Sequence, residues 1–173
     1  MKNTHLEHLE DDILNSGSAG GKDVISFLRQ FGHMLTGIPS ELSVTTKWDG
    51  APAIFAGIDP SDGKFFVAKK GVFNKTPLLY KSTQEINKDS KLPQALKRAF
   101  TIALQEFSKL GIKGVLQGDL MFTSGSLEAE TIDGERYTTF QPNTIVYAVP
   151  RMSDLDKQMR AAKIGVVWHT TYS

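Results

Sequence analysis

A change in the spacing of apolar residues at Leu42 is the feature that most restricts how this chain can fold. Before Leu42 the apolar residues recur at helical spacing, and after it they alternate or form short runs typical of β-strands. One amphipathic helix, predicted over residues 92–110, interrupts this strand-rich part. The spacing therefore predicts an α+β fold with an N-terminal helical segment, residues 1–40, and a sheet-containing core, residues 41–173.

The N-terminal segment is predicted to contain two helices. The first covers residues 4–14, with Thr4 as its N-cap, and the second covers residues 22–35 and ends before Gly37. Residues 15–21 are rich in glycine and serine, a composition typical of a flexible connector. We therefore expect a loop between the two helices.

The core is predicted to consist of strands, with one further helix near its C-terminal end. Asp133-Gly134 lies between two strand-like segments and predicts a tight hairpin turn. His169, close to the end of an apolar run, is interpreted as a structural residue. The predicted strands are residues 42–48, 53–58, 65–70, 114–122, 144–150 and 164–169, and the further helix covers residues 152–163.

The charge balance argues against a large nucleic-acid-binding surface. The 173 residues suit one domain, or one domain with a small appendage. Because 20 Lys and Arg nearly balance 19 Asp and Glu, the net charge is only +1. Any binding of nucleic acid must then use a local patch, for which Lys69, Lys70 and Lys75 are the candidates.

Cysteine usage and hydropathy bear on the location of the protein. The chain has no cysteine, which excludes disulfides and thiolate metal sites and fits a reducing cytoplasm. Its first residues are polar and acidic, and no run approaches the roughly 18 apolar residues that predict a transmembrane helix. We therefore expect a cytoplasmic protein with no membrane partner.

Residues Lys47-Trp48-Asp49-Gly50 combine the side chains most suited to chemistry. In an extended segment, residues two apart leave on the same face, so Lys47 and Asp49 can point into one pocket. Gly50 allows the backbone to turn or to approach a ligand closely. A lysine is a nucleophile only when neutral, and burial or nearby cations lower its pKa from the usual value of about 10.4. The alternative is an ordinary surface ion pair.

The Lys-x-Asp-Gly sequence at residues 47–50 resembles the nucleophile motif of the covalent nucleotidyltransferases, which are the DNA ligases, RNA ligases and mRNA capping enzymes. The resemblance implies an antiparallel sheet core of the ligase nucleotidyltransferase, ATP-grasp-like type. It also implies that Lys47 attacks ATP, with Mg²⁺ or Mn²⁺ as the metal, to form lysyl-AMP. The acceptor in the second step would be a nucleic-acid end.

Three later stretches resemble elements of the same superfamily in the same order. Lys69 takes the place of an arginine that lies near the nucleotide, and Tyr147 that of an aromatic residue that stacks on adenine. Asp119 replaces a glutamate that contacts the sugar or the water shell of the metal, which makes it the candidate metal ligand. Asp49 and Gly50 would also contribute to nucleotide binding. The structural alternatives are a solvated lysine, an aspartate that closes a turn and a core tyrosine.

The resemblance to ligases weakens toward the C-terminus. Ligases continue with an acid that holds the metal and a strand with two lysines that contact the phosphates, and residues 151–173 contain neither element. The final stretch, residues 166–173, reads as a strand without a polar tail. We therefore expect an incomplete catalyst and a fragment of a longer protein.

The runs KWDGAPAIFAGIDP, GIKGVLQGD and PNTIVYAVP resemble, more closely, a family of uncharacterised proteins from tailed phages. This resemblance covers most of the chain and implies the cytoplasm of a phage-infected bacterium, but no particular activity. Two hypotheses therefore stand. The first is an ATP-dependent polynucleotide ligase-like enzyme, and the second is a non-catalytic ligase-like phage module that binds nucleotide, nucleic acid or another protein. The choices of ATP or GTP and of DNA or RNA stay open.

Overall fold

The computed structural model describes residues 8–44 and 47–172. Within these ranges the chain has four α-helices and two antiparallel sheets, of four and three strands, which confirms the α+β class. It forms two compact units that divide between Lys47 and Trp48. The helices are α1 (Leu9–Leu35), α2 (Thr83–Lys88), α3 (Gln94–Phe107) and α4 (Asp154–Ala161). The strands are β1 (Ala53–Ile58), β2 (Phe65–Ala68), β3 (Val115–Thr123), β4 (Glu128–Ile132), β5 (Glu135–Phe140), β6 (Tyr147–Pro150) and β7 (Ile164–Tyr172).

The first unit contains α1, which continues through the glycine-rich stretch predicted to be a loop. Gly17, with φ 57° and ψ −129°, is the non-helical residue within α1, and two helical segments meet there at a kink. A side chain at Gly20 would overlap the carbonyl of Asp12, so glycine allows the two segments to approach closely. The prediction of a loop was therefore wrong, although a break does occur. The predicted N-cap Thr4 lies outside the described residues.

The strand predicted over residues 42–48 was also wrong where the structure describes it. Residues 42–44 and 47–48 have no regular secondary structure. Lys47, which was expected at a strand end, lies in this irregular segment and is exposed. An alternating pattern does not specify a neighbouring strand, and without one the hydrogen-bonding groups of an extended backbone stay unpaired.

The second unit is built on a four-stranded antiparallel sheet with the strand order β2-β1-β3-β7. Helix α3 covers one face of this sheet. On that face Ile54 of β1, Val67 of β2 and Phe100 of α3 pack into one fully buried cluster with Tyr80 and Ile86. The helix predicted at residues 92–110 is thereby confirmed with shorter ends.

The sequence of α3 explains its position. Its buried residues recur at helical spacing, and Pro93, which has no amide hydrogen, precedes the first turn. The buried residues of α3 are Ala99, Phe100, Ala103 and Phe107. No helix in the described ranges is long and apolar enough to cross a membrane.

The opposite face of the four-stranded sheet is apolar at one end and polar at the other. Phe55 of β1, Phe66 of β2 and Val115 of β3 pack there with Tyr172 of β7. Along β3 the next residues on the same face are Gln117 and Asp119, since their partners on β1 are Phe55 and Ala53. The polar end of this face forms part of the candidate site.

The second sheet, with the order β4-β5-β6, packs through an apolar cluster against the far end of β3. Phe140 of β5, Val149 of β6 and Met159 of α4 are buried there with Phe122 of β3. The predicted Asp133-Gly134 turn between β4 and β5 is confirmed. Both of its residues have positive φ, 51° and 84°, as a two-residue hairpin turn with the right twist requires.

The turn between β1 and β2 makes stability depend on pH. The Lys81 ammonium lies 2.5 Å from the Asp59 carboxylate and 2.9 Å from that of Asp62. The hydrogen bond from Lys81 is the main cause that lowers the pKa of Asp59 from 3.8 to about 2, and the Ser61 amide adds to it. A depressed pKa contributes stability above the unfolded-state pKa and loses it as the pH falls through the folded-state value. The contribution of this turn should therefore be complete above about pH 4 and fade between about pH 4 and pH 2.

We expect Lys81→Gln to raise the pKa of Asp59 toward 3.8, as measured by NMR titration of its side-chain carboxyl carbon. Lys64→Gln is the matched control, because Lys64 lies in the same turn and its side chain makes no ion pair among the described residues. A pKa of Asp59 that stays near 2 in Lys81→Gln would contradict the assigned cause.

Candidate functional site

The segment before β1 extends the pairing of the four-stranded sheet. The Ala51 amide donates to the Leu120 carbonyl at 3.0 Å, and the Leu120 amide donates to the Pro52 carbonyl at 3.1 Å. These two hydrogen bonds hold the segment alongside β3 beyond the end of β1. They place Gly50 beside the part of β3 that contains Asp119.

Gly50 is packed too closely for any side chain. A Cβ atom at this position would lie 2.7 Å from the Leu120 carbonyl oxygen and 2.8 Å from the Cβ of Asp119. It would also lie 2.7 Å from the sulfur of Met121. The glycine of the Lys-x-Asp-Gly motif is thus required by close contact with β3, and Gly50 itself lies against Asp119.

Asp49 is held by Tyr147 of β6 and by Asn143 in the loop between β5 and β6. The Asp49 amide donates to the Tyr147 hydroxyl at 2.9 Å, and this hydroxyl donates to the Asp49 carbonyl at 3.0 Å. The Asn143 side-chain amide donates to the Asp49 carbonyl at 3.1 Å and to its carboxylate at 3.0 Å. Asp49 and Gly50 therefore lie beside Asp119 and Tyr147, although these residues come from three separate parts of the sequence.

Asn143 is a site residue that sequence reasoning missed. Its side-chain oxygen also accepts a hydrogen bond from the Ile145 amide at 2.7 Å, so the amide group is held in one orientation. The signal available in the sequence is Pro142-Asn143 directly before an apolar strand, but this pattern is equally typical of a turn. Only the fold shows which residue the Asn143 side chain contacts.

A β-bulge places His169 next to Asp119. Gln117 pairs with Thr170 and Gly118 pairs with Trp168, so His169 is the additional residue between the two pairs. Its Nε2 atom lies 3.8 Å from a carboxylate oxygen of Asp119, and its Nδ1 atom lies 2.8 Å from the Thr170 hydroxyl. The structure therefore adds to the site a histidine that the sequence analysis interpreted as structural.

Aromatic residues cover the side of the site next to the second sheet. The Tyr147 ring stacks on Phe140 at a centroid distance of 5.1 Å and contacts Trp48 at 5.3 Å. Trp48 is 37% exposed and lines an apolar cavity of about 150 Å³ together with Phe140 and Val149. Stacking of Tyr147 on a base stays a prediction, and Trp48 is more exposed than Tyr147 and Phe140.

Lys69 is not brought to this site. Ala68 packs on the face of the sheet that contains Asp119, and Lys69 continues in extended conformation, so its side chain leaves on the other face. It lines a separate cavity of about 650 Å³ with Tyr80 and Asp89, a cavity that Asp119 does not line. The expectation that Lys69 and Asp119 line one groove is therefore not met.

Asp119 is the candidate metal ligand of this site, since the Asp49 carboxylate already accepts a hydrogen bond from Asn143. Over residues 8–44 and 47–172 no group of three or more His, Asp or Glu side chains could hold a metal ion. The Asp119 carboxylate is 21% exposed and has His169 as a neighbour. One carboxylate suits Mg²⁺ that is bound mainly by the oxygens of a nucleotide and by water, so Asp119 fits the predicted role.

Gly50→Ala should destabilise the second unit. The added methyl group meets backbone and core atoms that cannot move freely, and overpacking of this kind costs about 1–3 kcal/mol. Gly125→Ala is the control, because no atom lies within 4 Å of a Cβ at Gly125. Urea unfolding should show a clearly lower free energy for Gly50→Ala alone. Equal stability of the two variants would mean that Gly50 does not pack against β3.

The fold and the site define an α+β protein in which Trp48, Asp49 and Gly50 pack against a polar sheet face and an aromatic cluster. The chain belongs to a family of unknown function, DUF6267, whose model matches residues 3–173. No curated protein matches it, and no solved structure matches it either. The match agrees with the expected uncharacterised family over most of the chain.

Proposed function

We propose that this protein is a ligase-like nucleotidyltransferase that forms a lysyl-AMP intermediate at Lys47 and transfers the AMP to a nucleic-acid end. One observation carries the proposal. Asp49 and Gly50, Asp119 and Tyr147, which the resemblance to ligases singles out, meet at one place although 70 and 28 residues separate them in the sequence. If residues 47–50 matched the motif only by chance, there would be no reason for Asp119 and Tyr147 to lie beside Asp49 and Gly50.

The proposed step balances as a simple displacement. The neutral amine of Lys47 attacks the α-phosphorus of ATP, a nitrogen–phosphorus bond forms, and the bond from the α-phosphorus to the bridging oxygen breaks. Pyrophosphate leaves with the electron pair, and the amine loses a proton to solvent. An oxygen atom of the nucleic-acid end would then attack the same phosphorus, the nitrogen–phosphorus bond would break, and the Lys47 amine would be regenerated with a proton taken from solvent.

The residues of the site have distinct roles in this proposal. Asp49, fixed by Asn143 and Tyr147, orients the ribose through its carboxylate. Trp48 offers its exposed ring to the base, since the Tyr147 ring already contacts Phe140. Asp119 would hold Mg²⁺ or Mn²⁺, which when bound offsets the charge of the phosphates.

Intact-mass measurement after incubation with ATP and magnesium tests the proposal. We expect a mass increase of one AMP, with radiolabel retained from α-labelled ATP and absent with γ-labelled ATP. Addition of pyrophosphate should remove the adduct, because the step is reversible. Parallel incubation with GTP identifies the nucleotide. Protein that binds ATP by equilibrium dialysis but never gains mass would contradict the enzymatic proposal.

A non-catalytic nucleotide-binding module is the second candidate. The position of Lys69 favours it, because the counterpart of the ligase arginine lines a different cavity and cannot offset phosphate charge near Asp119. This module would bind ATP through the same residues and would form no covalent adduct. The mass measurement therefore separates the two candidates directly.

A further inference from the structure

We propose that a groove between the end of β2 and α2, distinct from the site around Asp119, binds the phosphate backbone of nucleic acid without reading its sequence. We define this basic groove by Lys69, Lys88 and Lys91, with Tyr80 and Leu78 in its wall. Its volume is about 650 Å³. The inference is independent of the proposed nucleotidyl transfer, since none of the residues in that site lines the groove.

Positive charge is concentrated in the stretch of sequence that contributes the groove. Residues 64–98 contain eight lysines and one arginine but only two carboxylates, whereas the complete chain has 20 basic and 19 acidic residues. The near-zero net charge therefore conceals a basic region next to more acidic ones. A local excess of this kind attracts a polyanion, although the average composition does not suggest it.

The lysines of the groove form no ion pair among the residues that the structure describes. Among the described residues, ion pairs involve Lys81, which contacts Asp59 and Asp62, but not Lys69, Lys88 or Lys91. In this respect the three groove lysines differ from Lys81, although all four belong to the same basic region.

Asp89, an acid within the groove, is engaged by other partners. It accepts hydrogen bonds from the Tyr80 hydroxyl at 2.6 Å and from the Lys91 amide at 2.8 Å. The hydrogen bond from the Tyr80 hydroxyl is the main cause that lowers the pKa of Asp89. The hydrogen bond from the Lys91 amide and the charges of Lys69 and Lys97 lower it further. Asp89 therefore stays negatively charged, and Glu85 is the second acid that lines the groove. Because three lysines outnumber these two carboxylates, the groove keeps a net positive charge.

The chemistry of the groove favours nucleic acid over other anions. Lysine ammonium groups are flexible point charges that bind phosphates without selecting a base. A concave groove with Tyr80 and Leu78 in its wall suits a strand of sugars and phosphates, whereas a flat lipid surface cannot enter it. We therefore expect weak, salt-sensitive and sequence-independent binding.

Fluorescence anisotropy with a labelled single-stranded oligonucleotide and with its duplex tests the groove. The variant is the triple substitution Lys69→Gln, Lys88→Gln and Lys91→Gln, and the matched control is Lys109→Gln, Lys113→Gln and Lys157→Gln. Each triple variant removes three positive charges and leaves the rest of the chain unchanged. We expect the groove variant to lose about tenfold or more in affinity at low salt, and its salt slope to fall by about 2–3, since each phosphate contact contributes about 0.7–0.9.

The control variant should keep an affinity within about twofold of the wild type, because its lysines lie elsewhere. The variant Lys69→Arg, Lys88→Arg and Lys91→Arg keeps the charge, and it should bind as the wild type does and unfold at the same temperature. Equal losses in both Gln variants would overturn the proposal. So would tighter binding of phosphatidylserine vesicles or polyglutamate than of the oligonucleotide, or no oligonucleotide binding at about 50 mM salt.

Discussion

Lys47→Arg should abolish the AMP adduct completely. Arginine keeps a positive charge and a similar length, but its guanidinium stays protonated at any usable pH and has no lone pair with which to attack phosphorus. The loss should therefore be total and should not be recovered at higher pH. Intact mass after incubation with ATP and magnesium measures it, and circular dichroism checks that the helix and sheet content is unchanged.

Lys157→Arg provides the matched control for this substitution. Lys157 is an exposed lysine of α4 that pairs with Asp154 at 3.0 Å, and arginine can replace it there without loss of charge. We expect the adduct to form in Lys157→Arg at the wild-type level. An adduct in Lys47→Arg at that level would show that another residue is modified, and peptide mapping would identify it.

Asp156→Ala should cause a large loss of stability in the second unit. The Asp156 side chain is fully buried, and its carboxylate accepts hydrogen bonds from the Thr138 hydroxyl at 2.6 Å and the Met152 amide at 2.9 Å. The Arg160 guanidinium adds an ion pair at 3.5 Å. Thr138 and Met152 would lose their acceptor, and a buried donor left without an acceptor costs about 1–3 kcal/mol.

The effect of Asp156→Ala is measured by urea unfolding, with Asp154→Ala as the control. Asp154 lies in the same first turn of α4, but its side chain is 91% exposed and it pairs only with Lys157. Loss of such a surface pair costs about 0.2–1 kcal/mol. If the two variants unfold at the same urea concentration, the buried contacts of Asp156 do not stabilise the fold.

The local elements with strong patterns could be predicted from the sequence. Helix α3 follows from apolar residues at helical spacing behind Pro93, and the β4–β5 hairpin follows from Asp133-Gly134. Serine is a favoured N-cap residue, and the Ser153 hydroxyl before α4 accepts a hydrogen bond from the Asp156 amide at 3.1 Å. In each case the signal lies within the element itself or directly beside it.

The predictions failed where a distant contact decides the structure. The glycine-rich stretch before Lys22 has the composition of a loop, yet Gly20 lets two helical segments approach each other within α1. Apolar and polar residues alternate over residues 42–48 as they do in a strand. This pattern does not indicate whether a neighbouring strand is available to pair with the segment. Neither the composition of a segment nor the alternation of its residues indicates which other residues of the fold the segment contacts.

The same distinction between local patterns and distant contacts applies to the candidate site. The sequence by itself determined which residues are chemically suited to a nucleotide, because Lys47, Asp49, Gly50 and Asp119 interrupt apolar segments where polar or glycine residues are unusual. The tertiary structure alone decided which of the residues meet. The strand order β2-β1-β3-β7 brings Gly50 to Asp119, the bulge in β7 adds His169, and the alternation of β2 sends Lys69 to the other face. The physical reason is that side-chain chemistry is local, whereas strand pairing and sheet faces depend on residues far apart in the chain.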